Sequence, residues 1–183
     1  NYNSTEVLGF PQIHCWVLAG LTLMPTTGNV DPTLGEENWK SSFMHEEEIA
    51  QPGYHRMYLK DYGIWVEQTA TDRTGMYRLT FTQDSDADIL VNLGGYIAST
   101  TMRNADVKKV SNNEIEGSFD TYGRHWGGPE NVKVHFVIRF DKDFERLDGW
   151  RDKERYSDID TLQGSSIITR RHPKEELSYL DSP

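Results

Sequence analysis

Between Tyr54 and Phe81 the chain reads YHRMYLKDYGIWVEQTATDRTGMYRLTF, a segment in which hydrophobic residues recur every second position. Runs of β-branched and aromatic residues occupy Tyr54 to Leu59, Ile64 to Thr71 and Met76 to Phe81. Between them lie Lys60-Asp61-Tyr62-Gly63 and Asp72-Arg73-Thr74-Gly75. Each linker ends in the glycine that a tight reversal favours, so the pattern predicts an antiparallel meander. In the middle run Ile64, Val66 and Ala70 share one face, and Trp65, Glu67, Thr69 and Thr71 share the other. One side is built for a core and the other for solvent, with Trp65 expected to pack against a second layer or domain.

The same grammar continues downstream. Ala87 to Leu93 reads as a strand ended by Gly94-Gly95, and Val107 to Ser111 and Glu114 to Phe119 flank a turn at Asn112-Asn113. From Val132 to Phe140 the apolar residues Val132, Val134, Phe136, Ile138 and Phe140 alternate with Lys133, His135 and Arg139, the period of a half-buried strand. Sustained 3.6-residue periodicity with caps is absent, and only the short KEELSYL after Pro173 suggests a helix. This many strands in one chain exceed what an open sheet buries well, so the fold class is all-β, an antiparallel β-sandwich. Thr26 to Ser42 and Thr121 to Asn131 do not fit strands and read as long loops of the kind that carry function or cover an edge. The domain is expected over residues 1–150. A charged tail or linker is expected over 151–183, with one short strand candidate at Ser166 to Thr169.

Composition narrows the partners. The chain has 183 residues and carries 29 Asp and Glu against 19 Lys and Arg, a net charge of -10 that repels phosphate backbones and anionic lipid. Nucleic acid is therefore not expected as a partner, and no apolar run is long enough for a helical membrane span. Cys15 is the one cysteine, which excludes a disulfide scaffold. The chain opens at Asn1 without an initiator Met, so any leader is expected to have been removed or to lie upstream.

Several chemical motifs have modest readings. Glu46, Glu47 and Glu48 are consecutive and read as a solvated turn, while His45 and Glu48 are placed to brace the chain before Pro52-Gly53. Asp84, Asp86 and Asp88 imitate the start of a calcium loop, but Ile89 stands where glycine is required and Gly95 where the bidentate Glu belongs. His14 and Cys15 are adjacent, and consecutive strand residues face opposite ways, so the two side chains do not easily meet as a thiol–imidazole pair. Trp16, Trp39 and Trp126 lie in or beside loops, where an exposed indole can stack on the C–H face of a pyranose.

Several words in fixed order carry a resemblance. They are LTLMPTTG at Leu21 to Gly28, F-x-H-x-x-E and A-x-P-G-Y within Phe43 to Tyr54, and YGIWVEQTATDRTGMYRLTF. DADILVNLGG at Asp86 to Gly95 and KVHFVIRFDKDF at Lys133 to Phe144 follow. Together they resemble the N-terminal β-sandwich domain of glycoside hydrolase family 92, the calcium-dependent exo-acting α-mannosidases. The resemblance implies a supersandwich of the galactose-mutarotase type and an α-mannoside glycan as ligand. It also implies a helical catalytic domain as partner and a periplasmic or extracellular location. It implies inverting hydrolysis, whose two carboxylates, like the calcium ligands, belong to the helical domain and not to this chain; no catalytic or metal residue is therefore assigned here. His14 matches one histidine of a family word. With Trp16, His125 and Trp126 it makes up the expected substrate-binding set. The family has a longer glycine-rich loop where this chain has only CWVLAG at 15–20. That difference keeps open a second reading, a non-catalytic module that binds carbohydrate or a protein partner.

Overall fold

The computed structural model describes residues 3–11, 21–82, 86–94, 96–97, 100–123 and 131–164. Among them regular structure is strand and 3₁₀ turn, with no α-helix, and every strand pairing is antiparallel. No helix there is long and apolar enough to cross a membrane.

The meander is present as anticipated. Strands β5 (Ile49–Gln51), β6 (Tyr54–Leu59), β7 (Ile64–Ala70) and β8 (Gly75–Phe81) form one sheet in chain order. Its first reversal uses Gly63 at φ 65, whose amide donates to the Leu59 carbonyl at 2.8 Å. Only glycine enters that left-handed region freely. The second reversal differs from expectation: Gly75 opens β8 opposite Ala70, and the turn closes through Thr71 and Thr74. Ala70 also departs from its expected core position, because the sheet's buried face ends at Val66 and Ala70 is exposed.

A second sheet joins β2 (Phe10–Pro11), β3 (Thr22–Thr27) and β9 (Ala87–Asn92). The strands β1 (Glu6–Val7) and β4 (Ser41–Ser42) form a small ribbon beside it. Between these layers lies the larger core, built on Phe10, Met24, Trp39, Phe43, Met57, Leu59, Tyr62, Ile64 and Val66. Tyr77 ties the layers together by donating its hydroxyl to the Phe10 carbonyl at 2.9 Å.

The segment read as a loop over Thr26 to Ser42 begins as β3, makes 3₁₀ turns at Pro32–Leu34 and Glu36–Asn38, and ends as β4. It carries Trp39 inward. That ring is 1 % exposed, donates its N–H to the Leu8 carbonyl at 3.0 Å and meets Trp150 edge-on at 6.0 Å. Trp39 is therefore a core plug rather than an exposed stacking ring.

A third sheet runs β10 (Tyr96–Ile97), β11 (Thr100–Ser111), β12 (Glu114–Tyr122) and β13 (Asn131–Arg139), with β16 (Thr161–Gly164) also on β11. Its core face holds Met102 and Phe119, against which Leu21, Leu93, Ala105, Val134 and Phe136 pack. The alternation predicted for β13 is observed along its whole length. The turn at Asn112-Asn113 also forms, but without positive φ at either residue. Instead a register irregularity between Lys109 and Ser111 opens the turn, and Asn112 and Asn113 carbonyls accept from the amides of Phe144 and Phe140.

Residues read as a charged tail from Arg151 carry regular structure through Gly164. β14 (Gly149–Arg151) and β15 (Glu154–Tyr156) form a hairpin, and β16 then completes the edge of β11. The strand candidate at Ser166 to Thr169 lies outside the described residues.

Candidate functional site

The expected sugar-binding residues His14, Trp16, His125 and Trp126 lie outside the described residues. The strands that carry their segments are described. Pro11 pairs with Thr22 where the chain leaves β2 and returns as β3, and Tyr122 pairs with Asn131 where it leaves β12 and returns as β13. Leu21 packs on the cluster of Met102 and Phe119, and Met102 is in register with Thr121, the neighbour of Tyr122. Both segments therefore start from the same end of the sandwich.

At that end the third sheet presents polar groups on the face away from its core. Arg103 stands opposite Asp120, and its guanidinium carbon lies 4.7 Å from the centre of the Tyr122 ring. A bulge follows Arg103, where Asn104 takes φ 52, a left-handed conformation that Asn tolerates better than most residues. From there its side-chain amide donates to Asp120 Oδ2 at 2.9 Å. Lys133 Nζ lies 3.8 Å from the other Asp120 oxygen. Nearby, Asn92 is buried, donates to Glu36 Oε1 at 2.9 Å and accepts from the Gly94 amide at 3.1 Å, fixing the exit of β9.

The F-x-H-x-x-E word forms a separate cluster. His45 Nδ1 donates to Glu48 Oε2 at 2.7 Å, and His55 Nε2 donates to Glu48 Oε1 at 2.9 Å. His55 is thereby protonated at Nε2, and its Nδ1 accepts from the Gln68 amide at 3.1 Å. The His55 bond, opposed by burial and helped by His45, holds the Glu48 carboxyl below its ordinary range. This arrangement fastens the 3₁₀ turn His45–Glu47 to β6 and β7, as bracing requires. Of the three acids read as a solvated turn, Glu48 is the exception. Sequence reasoning paired His45 with Glu48 and missed His55 and Gln68, which arrive from strands whose register the local word does not contain.

Trp65, expected to meet another layer or domain, is half-buried and packs against neighbours within its own sheet. The Arg56 guanidinium carbon sits 3.8 Å from its ring centre, and Tyr58 lies 4.8 Å away on a tilted ring.

Among the described residues no group of three or more His, Cys, Asp or Glu side chains is arranged to hold a metal ion.

Comparisons with known proteins agree on one family. The model of the glycosyl hydrolase family 92 N-terminal domain matches residues 1–174. The family GH92 α-mannosidase BT3965 from Bacteroides thetaiotaomicron superposes with TM-score 0.76 at 21% identity, covering 90% of this chain and 24% of that one. The GH92 family glycosyl hydrolase ccman5 gives TM-score 0.71 at 21% identity, covering 90% and 24%. The family GH92 inverting mannosidase BT2199 from Bacteroides thetaiotaomicron VPI-5482 gives 0.67 at 14% identity, covering 90% and 21%. This chain thus spans under a quarter of the length of those enzymes. Among curated proteins none matches it. The ordered words, the antiparallel layers and the family model agree, and the chain belongs to the glycosyl hydrolase family 92 N-terminal domain family.

Proposed function

We propose that this chain is the N-terminal sandwich portion of an exo-acting, inverting α-mannosidase. In that reading it walls one side of a pocket for a terminal mannose. A helical catalytic domain supplies the acid and base carboxylates and the calcium ligands, and the enzyme works in the periplasm or outside the cell. The observation that carries the reading is the family match over residues 1–174, joined to solved neighbours named an α-mannosidase and an inverting mannosidase. The convergence of the strands flanking residues 12–20 and 124–130 supports a role for His14, Trp16, His125 and Trp126 on one common wall.

Asp31, Glu48, Asp61 and Asp148 are each held below the ordinary carboxylate range by hydrogen bonds, which makes them structural acceptors.

The test has separate arms. With aryl α-mannosides and calcium, this chain alone should give no turnover; hydrolysis abolished by EDTA would place the chemistry within it and sink the reading. Calorimetry with α-mannobiose should detect weak binding that His14→Ala and Trp126→Ala each remove. Undiminished binding in both variants would refute the assigned wall.

A further inference from the structure

The third sheet carries a pattern that the pocket-wall reading does not use. On the face away from Met102 and Phe119, cross-strand register sets up successive polar rows. The first is Arg103, Asp120 and Lys133, the next Asp106, Ser118 and His135, and the third Lys108, Glu116 and Val137. At two residues per row along β12, these rows extend over about 14 Å. An open groove of about 490 Å³ runs over the second and third rows.

We propose that this face binds a neutral, polyhydroxylated ligand, a glycan longer than one ring, with Arg103 and Asp106 as its main polar contacts. Arg103 supplies the first argument. Its Nε is buried and has no hydrogen-bond partner among the described residues. Leaving such a donor unanswered costs on the order of 1–3 kcal/mol, and the guanidinium's other N–H groups are the donors that a ligand on this face would meet. The Tyr122 ring holds the guanidinium in place, which lowers the cost of fixing it on binding.

Asp106 supplies the second. Ser118, buried beneath the groove, donates its hydroxyl to Asp106 Oδ1 at 2.6 Å. That bond fixes the carboxylate and leaves Oδ2 to accept from a sugar hydroxyl. Arg103 donors and an Asp106 acceptor in successive rows are what vicinal hydroxyls require, since each hydroxyl both donates and accepts.

The charge pattern selects against an ionic ligand. Lys108 pairs with Glu116 at 3.5 Å and Lys133 with Asp120 at 3.8 Å, so acids and bases alternate across this face. A simple anion drawn to Arg103 would sit beside Asp106 and Asp120 within a chain of net charge -10. Hydroxyls meet neither penalty.

The inference rests on different residues from the mannosidase reading and stands or falls separately. Residue-resolved NMR titration of this chain would test it, using methyl α-mannoside and yeast mannan, with sodium sulfate as an anionic control. Millimolar binding should shift amides at 103–108, 116–122 and 133–137, and sulfate should not. Arg103→Ala and the isosteric Asp106→Asn should each weaken mannan binding at least fivefold. If Arg103→Ala fails to fold, Asp106→Asn and Arg103→Lys decide. No saccharide shift on this face, shifts with sulfate alone, or unchanged affinity in the folded variants would overturn the proposal.

Discussion

Glu48 accepts a hydrogen bond from His55 at 2.9 Å, joining the turn before β5 to the middle of the first sheet. Together with His45 it consumes both oxygens of one carboxylate. Glu48→Gln replaces an anionic acceptor with an amide that matches at most one of those donors, and should cost about 1–3 kcal/mol. The pH dependence follows from the downward displacement of the Glu48 carboxyl, caused first by His55 and assisted by His45 against burial. Its folded pKa lies below its unfolded one, so this stability is fully present above the unfolded value. It is lost as pH falls through the folded value. Thermal melts from pH 6 down to acid should show the wild type losing this increment below roughly pH 4, where Glu48→Gln shows no matching loss. Parallel curves for the two proteins would refute the brace.

Trp39 tests whether an indole in a loop is a ligand platform or a plug. It is buried, bonded to the Leu8 carbonyl and edge-on to Trp150. Trp39→Phe should cost about 1–3 kcal/mol, mostly through the stranded Leu8 carbonyl, and Trp39→Ala about 3–5 kcal/mol. Chemical denaturation measures both. Near-wild-type stability in Trp39→Ala would mean that the ring carries no packing.

Residue pattern and tertiary register divide what was legible in this chain. The strands β6, β7 and β13 could be read from alternation, because one buried face forces a period of two and a one-residue slip would invert it. Trp39 could not, since its position among Gly, Pro and acidic residues looks like a surface loop until Leu8 and Trp150 are brought beside it. The residues after Arg151 read as a tail because their strands are short and set among charged residues, yet β15 pairs with β14 and β16 pairs with β11, a partner more than forty positions earlier. The His45–Glu48 half of the brace was visible as a local word, while His55 and Gln68 depended on strand register. The polar rows of the third sheet needed the bulge after Arg103, which sets Asp106 rather than Ala105 beside Ser118.

Gly117 shows how closely that bulge is packed. A methyl there would press on the Asp106 carbonyl oxygen and lie 2.7 Å from Phe136 Cζ. The carbonyl belongs to the backbone and cannot rotate away, and the Phe136 ring is packed against the core of the same sheet. Gly117→Ala should therefore destabilise the fold by about 1–3 kcal/mol, although alanine ordinarily favours a strand over glycine. Faster hydrogen exchange confined to β11 to β13 would accompany it. A rise in melting temperature would show that the bulge relaxes without penalty.

Asp148 holds the hairpin that precedes β16. Arg146 reaches it with Nε at 2.7 Å and Nη2 at 2.8 Å, Arg155 donates at 2.9 Å, and the Asp158 amide donates at 3.0 Å. Burial pushes this carboxyl up, but the bonds from Arg146, the Asp158 amide and Arg155 outweigh it and bring the pKa down to about 2. Because the folded value lies below the unfolded one, the stabilisation is complete at neutral pH. It is lost as pH falls from about 4 towards 2. The displacement corresponds to something on the order of 2 kcal/mol. Asp148→Asn should remove most of that at pH 7 and flatten the acid limb of the stability curve. Since Gly149 lies against Ile159 and Leu162, loosening Asp148 should also expose β16. Amide exchange at Thr161–Gly164 would report this directly, and protection unchanged by Asp148→Asn would show that β16 is held by β11 alone.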